Sequence, residues 1–274
     1  MSAKFLVTGL NGLIGWHVFK EAERTFPSWG TYRRRHPDLT KENASRIDFF
    51  EAGQLLNLLN EFQPHYLVHA WAMCDLDLCE DFPEKAYRTN VEGTECILDA
   101  AEAYGRLKKF VYISTDHVFD GEEGGYDEKA QPVPKHVYGK TKLQAERLVQ
   151  KSHLNSLIIR PGLVIGESLQ GNKGPRDYLF RRIQAGKPTH YFTDEWRSPI
   201  PALEFARRVI ERSTQDQVGI CHIAGAQKTS RYDLAKSLVR EHGMTCGNVL
   251  PRLRAEDRWA HIRPKDLSLH TLYP

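Results

Sequence analysis

Tyr138 and Lys142 stand four residues apart in the stretch YGKTK, after a run of Ser114, Thr115, Asp116 and His117 that closes the apolar segment VYI. On a helix, residues at i and i+4 point to one face. A free phenol titrates at about 10, so at neutral pH it exchanges protons poorly. An ammonium beside it favours the phenolate and is expected to bring its pKa toward the working range. A hydroxyl from Thr115 can hold a carbonyl oxygen in place. Together the three side chains suit proton delivery to the oxygen of a carbonyl undergoing reduction, with Tyr138 as the donor.

Reduction needs a source of hydride, and the front of the chain points to one. In TGLNGLIG, Gly9, Gly12 and Gly15 recur every third residue between an apolar strand and a helical pattern. In that context the first glycine permits the tight turn and the second lets backbone approach a pyrophosphate. The third lets helix pack on strand, and the helix N-terminus faces the anion. Gly9, Asn11, Gly12, Leu13, Ile14 and Gly15 are therefore candidates for binding a dinucleotide. An acid at the end of the second strand would hold a ribose 2′-hydroxyl. Here that position reads TYRRRHP, and the nearest acid, Asp38, comes well after it. Arg33, Arg34 and Arg35 can instead pair with a 2′-phosphate, which favours NADP(H) over NAD(H), with Arg33 and Arg34 as the named candidates. Asp48, in RIDF, can meet the adenine amine.

These groups need a scaffold, and the first two-thirds of the chain supplies the pattern for one. Apolar runs at Lys4–Gly9, WGTYRR, SRIDF, Pro64–Ala70, KKFVYIST and NSLIIRPG alternate with helical stretches. The helices are expected near Gly12–Arg24, over EAGQLLNLLNEF, across Pro83–Tyr104 and over HVYGKTKLQAERLVQ. Such alternation implies right-handed crossovers and an α/β fold, a Rossmann-type doubly wound parallel sheet with helices on both faces. STDH then falls at a strand's carboxyl end, the edge where such sheets bind ligands. After Gly166 the pattern loosens into a polar, glycine-rich loop. Helices follow near Tyr178–Ala185 and Ala202–Ser213, then a strand GICHIAG and a helix that starts on the Ser230 cap. The expected division is a dinucleotide-binding domain over residues 1–166. A small mixed substrate-binding part over 167–274 would cap the sheet rather than fold alone.

With 274 residues and a net charge of +3, the composition is that of a globular enzyme and gives no reason to expect nucleic acid or a membrane surface as partner. MSAKFLVTG lacks the apolar core of a secretory signal. The five cysteines are odd in number, scattered and without a CxxC pair, which points to reduced thiols in a cytoplasmic protein and to no metal site.

At this level of detail the residues resemble a known family. The glycine triplet and YxxxK are similar to the extended short-chain dehydrogenase/reductases. STDHVFDG, YGKTKLQAE, VEGT, RSPI and the closing RPKDLSL resemble the dTDP-4-dehydrorhamnose reductase branch, which also contains the regulatory β subunit of methionine adenosyltransferase. The resemblance covers nearly the whole chain. It implies that Thr115, preferred to Ser114, forms a catalytic set with Tyr138 and Lys142. It also implies that Lys142 holds the nicotinamide ribose, that Asn90 supports the active-site strand or a proton relay, and that Ala70 and Ala72 flank the cofactor. His69 reads as structural. His117 replaces the family's usual aromatic and is a candidate substrate contact. Arg197 sits where the family often places a basic residue near the substrate, with Arg160 and Arg263 as weaker candidates. Departures fall in RPGLVIGES and in the loop from Ser168 to Arg176.

The leading expectation is an NADPH-dependent reductase of a nucleotide-linked 4-keto-6-deoxy sugar, able to form a homodimer. Two rivals stay open: a NADP-binding regulatory subunit of a partner enzyme, and an NAD-dependent sugar-nucleotide epimerase or dehydratase.

Overall fold

The structure is a computed structural model that describes residues 2–34, 36, 39, 42–51 and 53–273. Arg35 and Asp38, both weighed above for cofactor choice, lie outside the described residues. The elements of the first two-thirds begin with β1 (Phe5–Thr8), α1 (Leu13–Ala22), β2 (Ser28–Tyr32), β3 (Ala44–Arg46), α2 (Gln54–Phe62) and β4 (Tyr66–His69). They continue with α3 (Leu76–Asp81), α4 (Pro83–Tyr87), α5 (Gly93–Tyr104), β5 (Lys109–Ile113), α6 (Val137–Lys151) and β6 (Ser156–Pro161). Beyond them come β7 (Leu163–Ile165), α7 (Gly174–Gln184), β8 (Thr189–Phe192), β9 (Trp196–Arg197), β10 (Pro199–Pro201) and α8 (Ala202–Thr214). The chain closes with β11 (Gly219–Ile223), β12 (Thr229–Ser230), α9 (Arg231–Glu241) and β13 (Val249–Arg252).

Seven strands form one parallel sheet in the order β11-β6-β5-β4-β1-β2-β3. This is the doubly wound Rossmann arrangement expected from the alternation. The strands read as near-continuous apolar runs because both faces are covered. In β1, Phe5 and Val7 face one layer with Val18 and Phe19 of α1 and Phe205 and Val209 of α8. Leu6 faces the other layer with Leu55 and Leu59 of α2, Ile97 and Ala101 of α5, and Ala145 and Val149 of α6.

Two features depart from the expected layout. The chain beyond residue 166 returns to the sheet: β11 pairs with β6 from Gly219↔Leu157 to Ile223↔Pro161, and α8 packs on α1. The expected boundary therefore divides the sheet layers as well as the substrate side, because a parallel edge strand can be recruited from any distance along the chain. The helix expected across Pro83–Tyr104 is also interrupted, by a π-helical turn at Arg88–Glu92. Such single turns widen the helix locally and are frequent at functional sites. This one carries Asn90 inward. No helix among the described residues is long and apolar enough to cross a membrane.

Candidate active site

The site is built where β5 ends. Ser114 still donates its N–H to the Ile159 carbonyl of β6 at 2.7 Å, and the chain then breaks into a short helical turn at Asp116–Val118. Thr115 caps that turn, its hydroxyl accepting from the His117 N–H at 3.2 Å. Ser114 turns away and donates to the buried Glu146 carboxylate at 2.5 Å. Thr115, not Ser114, therefore keeps its hydroxyl near Tyr138, where it donates to the Asp116 carboxylate at 3.2 Å and lowers the cost of the phenolate.

Tyr138 and Lys142 are fixed by the way α6 begins. The His136 ring caps the helix, Nδ1 accepting from the Gly139 N–H at 3.1 Å, and Glu80 accepts from the Val137 N–H at 2.6 Å. Two of the first-turn donors of the helix are thus met by side chains. Tyr138 is 8% exposed and Lys142 2%. The Lys142 ammonium donates to the Ile113 carbonyl at 2.8 Å and lies 4.0 Å from the centre of the Tyr112 ring. It is tied to β5, one turn along the helix from the phenol.

The electrostatics depart from the expected tuning. Burial pushes the Tyr138 phenol well above its ordinary value, and the Thr115 hydrogen bond opposes this. Burial lowers Lys142 from 10.5 to about 7, partly offset by the Glu146 carboxylate. The ammonium was expected to bring the phenol toward neutrality. Instead desolvation is the largest influence on each group, because both sit in a low-dielectric interior where each charged form is costly. The phenol is held in its protonated form.

The glycine turn leads into the opposite side of the same sheet edge. Gly9 has φ +82°, and a Cβ there would lie 2.9 Å from the Trp71 backbone. A Cβ on Gly15 would overlap the Gly9 carbonyl, so only glycine lets α1 start this close to β1. Gly12 is the N-cap, without a side-chain cap, and α1 has no acid in its first turn. Leu13 and Ile14 open that helix, leaving N–H groups and a positive dipole end for an anion. Asn11 joins this turn to the basic segment. Its Oδ1 accepts from the backbone of Arg33 and Arg34, at 3.1 Å each, and its Nδ2 donates to the Arg34 carbonyl at 2.8 Å. Arg33 and Arg34 are exposed. The Ala70 and Trp71 N–H groups both donate to the Thr8 hydroxyl, and Ala72 follows half-buried. Asp48 lies two residues past β3 and accepts from the Phe50 N–H at 3.1 Å. An uncapped helix end behind a glycine turn that only Gly9 and Gly15 let pack this closely fits a dinucleotide.

Asn90 bridges three segments. Its Oδ1 accepts from the Met73 N–H at 2.8 Å, and its Nδ2 donates to the Met73 carbonyl and to the Thr141 hydroxyl, both at 3.0 Å. It pins the segment after β4 to α6. His69 is structural, its ring between the Thr8 and Thr94 hydroxyls at 2.9 and 3.1 Å.

The candidates on the substrate side are brought together, but inward. His117 and Arg197 are each 5% exposed. Arg197 makes a bidentate pair with Asp116, at 2.9 Å through Nε and 2.6 Å through Nη2, and its Nη1 lies 3.1 Å from His117 Nε2. A guanidinium this buried needs a counter-charge, and Asp116 supplies it within the chain. Arg160 is likewise committed to Glu146, at 2.9 and 2.7 Å. Arg263 pairs with Asp257 at 3.2 Å and with Asp77. Asp116, Glu80, His136 and Glu146 all shape the site and none stood out in the sequence. His136 was read as the first residue of the helix HVYGKTKLQAERLVQ, whereas the structure makes it the cap, and histidine is not among the common caps.

A family model described as the RmlD substrate binding domain matches residues 3–272. Among curated proteins, the chain is 27% identical over 261 residues to methionine adenosyltransferase 2 subunit beta of Mus musculus, covering 91% of this chain and 75% of that protein. It is 30% identical over 236 residues to a Haloferax volcanii protein named "Probable low-salt glycan biosynthesis reductase Agl14", covering 85% and 78%. A solved structure named hypothetical dTDP-4-dehydrorhamnose reductase from Sulfolobus tokodaii superposes with a TM-score of 0.80 at 29% identity, covering 97% of this chain and 91% of that one. With a match that runs through sheet, site and C-terminal part alike, the chain belongs to the RmlD substrate binding domain family.

Proposed function

We propose that the protein is an NADPH-dependent oxidoreductase that reduces the keto group of a nucleotide-linked 4-keto-6-deoxy sugar, as expected of a relative of the dTDP-4-dehydrorhamnose reductases. The observation that carries this reading is the convergence of Thr115, Tyr138 and Lys142 at the end of β5, at the sheet edge that also holds the glycine turn. The relatives named as reductases support the reaction class.

NADPH, when bound, supplies the hydride that becomes the new C–H bond at the carbonyl carbon. The turn from Gly9 to Gly15 binds its pyrophosphate, Arg33 and Arg34 its 2′-phosphate, and Asp48 its adenine. Ala70 and Ala72 leave room beside it. Thr115 orients the carbonyl oxygen by turning its hydroxyl proton from Asp116, to which it donates at 3.2 Å, to the substrate. Tyr138 gives its phenolic proton to that oxygen, and its raised pKa keeps the proton in place until the oxygen gains charge. Lys142 orients the nicotinamide ribose and, once protonated, stabilises the phenolate left behind. Asn90 holds the strand-four segment against α6 while this occurs. The same reading places the enzyme in the cytoplasm, with homodimerisation open to test.

The test is a panel of dTDP- and UDP-linked 4-keto-6-deoxy sugars, following loss of NADPH against NADH. Oxidation of NADPH with at least one sugar is expected. Tyr138→Phe should keep NADPH binding near normal and lower turnover roughly 10²–10⁴-fold, the share of a positioned general acid. Equal turnover in that variant would defeat the assignment.

One observation favours a second reading, a NADP-binding regulatory subunit. Arg197, a substrate-side candidate, is neutralised within the chain by Asp116, and curated relatives are named as methionine adenosyltransferase subunit beta. No NADPH oxidation with any sugar, together with a changed rate of an added methionine adenosyltransferase catalytic subunit, would favour it.

A further inference from the structure

His117 and His136 lie back to back under the rim of the site, 5% and 3% exposed, and between them they link Arg197 to the start of α6. Three contacts form a chain. The Gly139 N–H is 3.1 Å from His136 Nδ1, His136 Nε2 is 2.8 Å from His117 Nδ1, and His117 Nε2 is 3.1 Å from Arg197 Nη1. Both ends of this chain are obligate donors, a backbone N–H and a guanidinium. Which ring nitrogens carry protons is therefore decided by counting.

Two neutral imidazoles bring two protons, and only the central contact can use one. With both rings as Nδ1–H, His117 accepts from Arg197 but His136 turns an N–H against the Gly139 N–H and the helix cap is lost. With both as Nε2–H, His136 accepts from Gly139 and the cap is made, but His117 turns an N–H against Arg197. The mixed forms fail at the centre, where 2.8 Å requires one donor and one acceptor. The chain thus has two workable states, and in each the rings agree.

We propose that His117 and His136 are positioning residues that share one tautomer and through it couple Arg197 to the N-cap of the helix carrying Tyr138. The resting state has both rings as Nε2–H. In that state Arg197 still holds Asp116 through Nε and Nη2, and Nη1 has the Glu195 carboxylate 3.6 Å away. The Gly139 N–H, in the first turn of α6, has no intrahelical carbonyl to replace the cap. Tyr138 sits between the two capped residues Val137 and Gly139, its ring stacked parallel to His136 at 6.2 Å and edge-on to His117 at 5.9 Å. An acceptor that draws off the Arg197 Nη1–H removes the one mismatch of this state. Engagement at Arg197 and a firm seat for Tyr138 are then one event; only this last consequence rests on the reductase reading.

Both rings stay neutral near neutral pH, which the count requires. Burial is the main cause for each. Arg197, Arg263 and Arg231 also act on His117, and Arg263, Arg197 and Lys140 on His136; of the carboxylates nearby, Asp116 and Glu195 are engaged by Arg197, Glu80 by the Val137 N–H and Asp77 by Arg263.

Long-range 1H–15N correlation spectra of the full-length protein near neutral pH read the tautomers directly and need no turnover. Wild type should show both rings as Nε2–H. His136→Ser keeps a capping oxygen for Gly139 but cuts the link to His117, whose ring should then switch to Nδ1–H and accept from Arg197. Opposite tautomers in wild type, an imidazolium at either position, or a His117 that stays Nε2–H in His136→Ser would each overturn the coupling. Should His136→Ser fail to fold, the wild-type spectrum still decides. These outcomes are independent of whether any sugar is reduced.

Discussion

Lys142 offers the sharpest physical test because its burial predicts both the sign and the slope of a pH effect on stability. Its ammonium lies inside the protein with a pKa lowered from 10.5 to about 7. Above about 7 the folded protein therefore releases a proton that the unfolded chain keeps until about 10. In that window the unfolded state binds more protons, so stability rises with pH, by roughly 1.4 kcal/mol per unit for one group. Below 7 the ammonium is charged in both states and the full burial penalty applies. Lys142→Met is close in length and carries no charge. It removes the penalty, and it leaves the Ile113 carbonyl without its partner at every pH. The absolute difference between variant and wild type thus mixes two effects, but its pH dependence isolates one. The advantage of the variant over wild type should be nearly constant below about pH 6 and fall by about 2 kcal/mol between pH 7 and pH 9. Taking the difference cancels Cys79 and Cys221, whose burial gives stability slopes of opposite sign at alkaline pH, since both proteins share them and neither thiol feels Lys142. Urea unfolding followed by circular dichroism at closely spaced pH values measures it. A difference that stays flat from pH 6 to pH 9, or one that grows, would refute the claim that this ammonium is buried at a cost.

Arg33→Ala with Arg34→Ala should weaken NADPH by roughly 10²–10⁴-fold, at about 1.5–3 kcal/mol for each of two charge-assisted bonds, and leave NADH nearly unchanged; calorimetric titration with both cofactors checks this, and an unaltered ratio removes the 2′-phosphate assignment. Asn90→Ala strands the buried Met73 N–H and takes one donor each from the Met73 carbonyl and the Thr141 hydroxyl, which keep Cys79 and the Tyr138 carbonyl, so denaturant unfolding should report a loss of about 1–3 kcal/mol. Glu146→Ala leaves the Arg160 guanidinium buried without a counter-charge and should cost about 3–5 kcal/mol, whereas Glu146→Leu with Arg160→Met should restore most of it. Equal stability of the single and double variants would mean that the pair is solvated.

The sheet was legible because each strand leaves a local mark. FLVT, YLVH and KFVYI are apolar on both faces, and a helical pattern follows the first two within a few residues. The glycine turn was legible for the same reason, since Gly9 and Gly15 answer to clashes with their immediate surroundings. Tyr138 and Lys142 could be placed on one helix face from spacing alone. What spacing could not carry was their depth. The pull of an ammonium on a phenol and the cost of removing both from water have opposite signs, and only the folded environment decides between them. The strand Gly219–Ile223 was visible as a strand, yet nothing local says that its partner is β6. The π-helical turn at Arg88–Glu92 has no breaker residue to announce it, and its reward, the clamp of Asn90 on Met73, lies seventeen residues away.

Arg197 makes the same point about function. From the sequence, a guanidinium placed to meet an incoming phosphate and one placed to meet Asp116 read alike, because both need only an arginine in RSPI. The partner lies eighty-one residues earlier. Once the fold brings them together at 2.6 Å, with side chains 6% and 2% exposed, the charge is matched inside the protein. An anion arriving at this face then meets one spare N–H, on Nη1, rather than a free cation. That spare donor is the group that faces His117, and His117 is joined through His136 to the helix of Tyr138. A buried, self-neutralised arginine draws a ligand weakly by charge, yet it can report the ligand's arrival through a hydrogen bond. Under the proposed function, recognition at this end of the site would depend on geometry at one nitrogen more than on net positive potential.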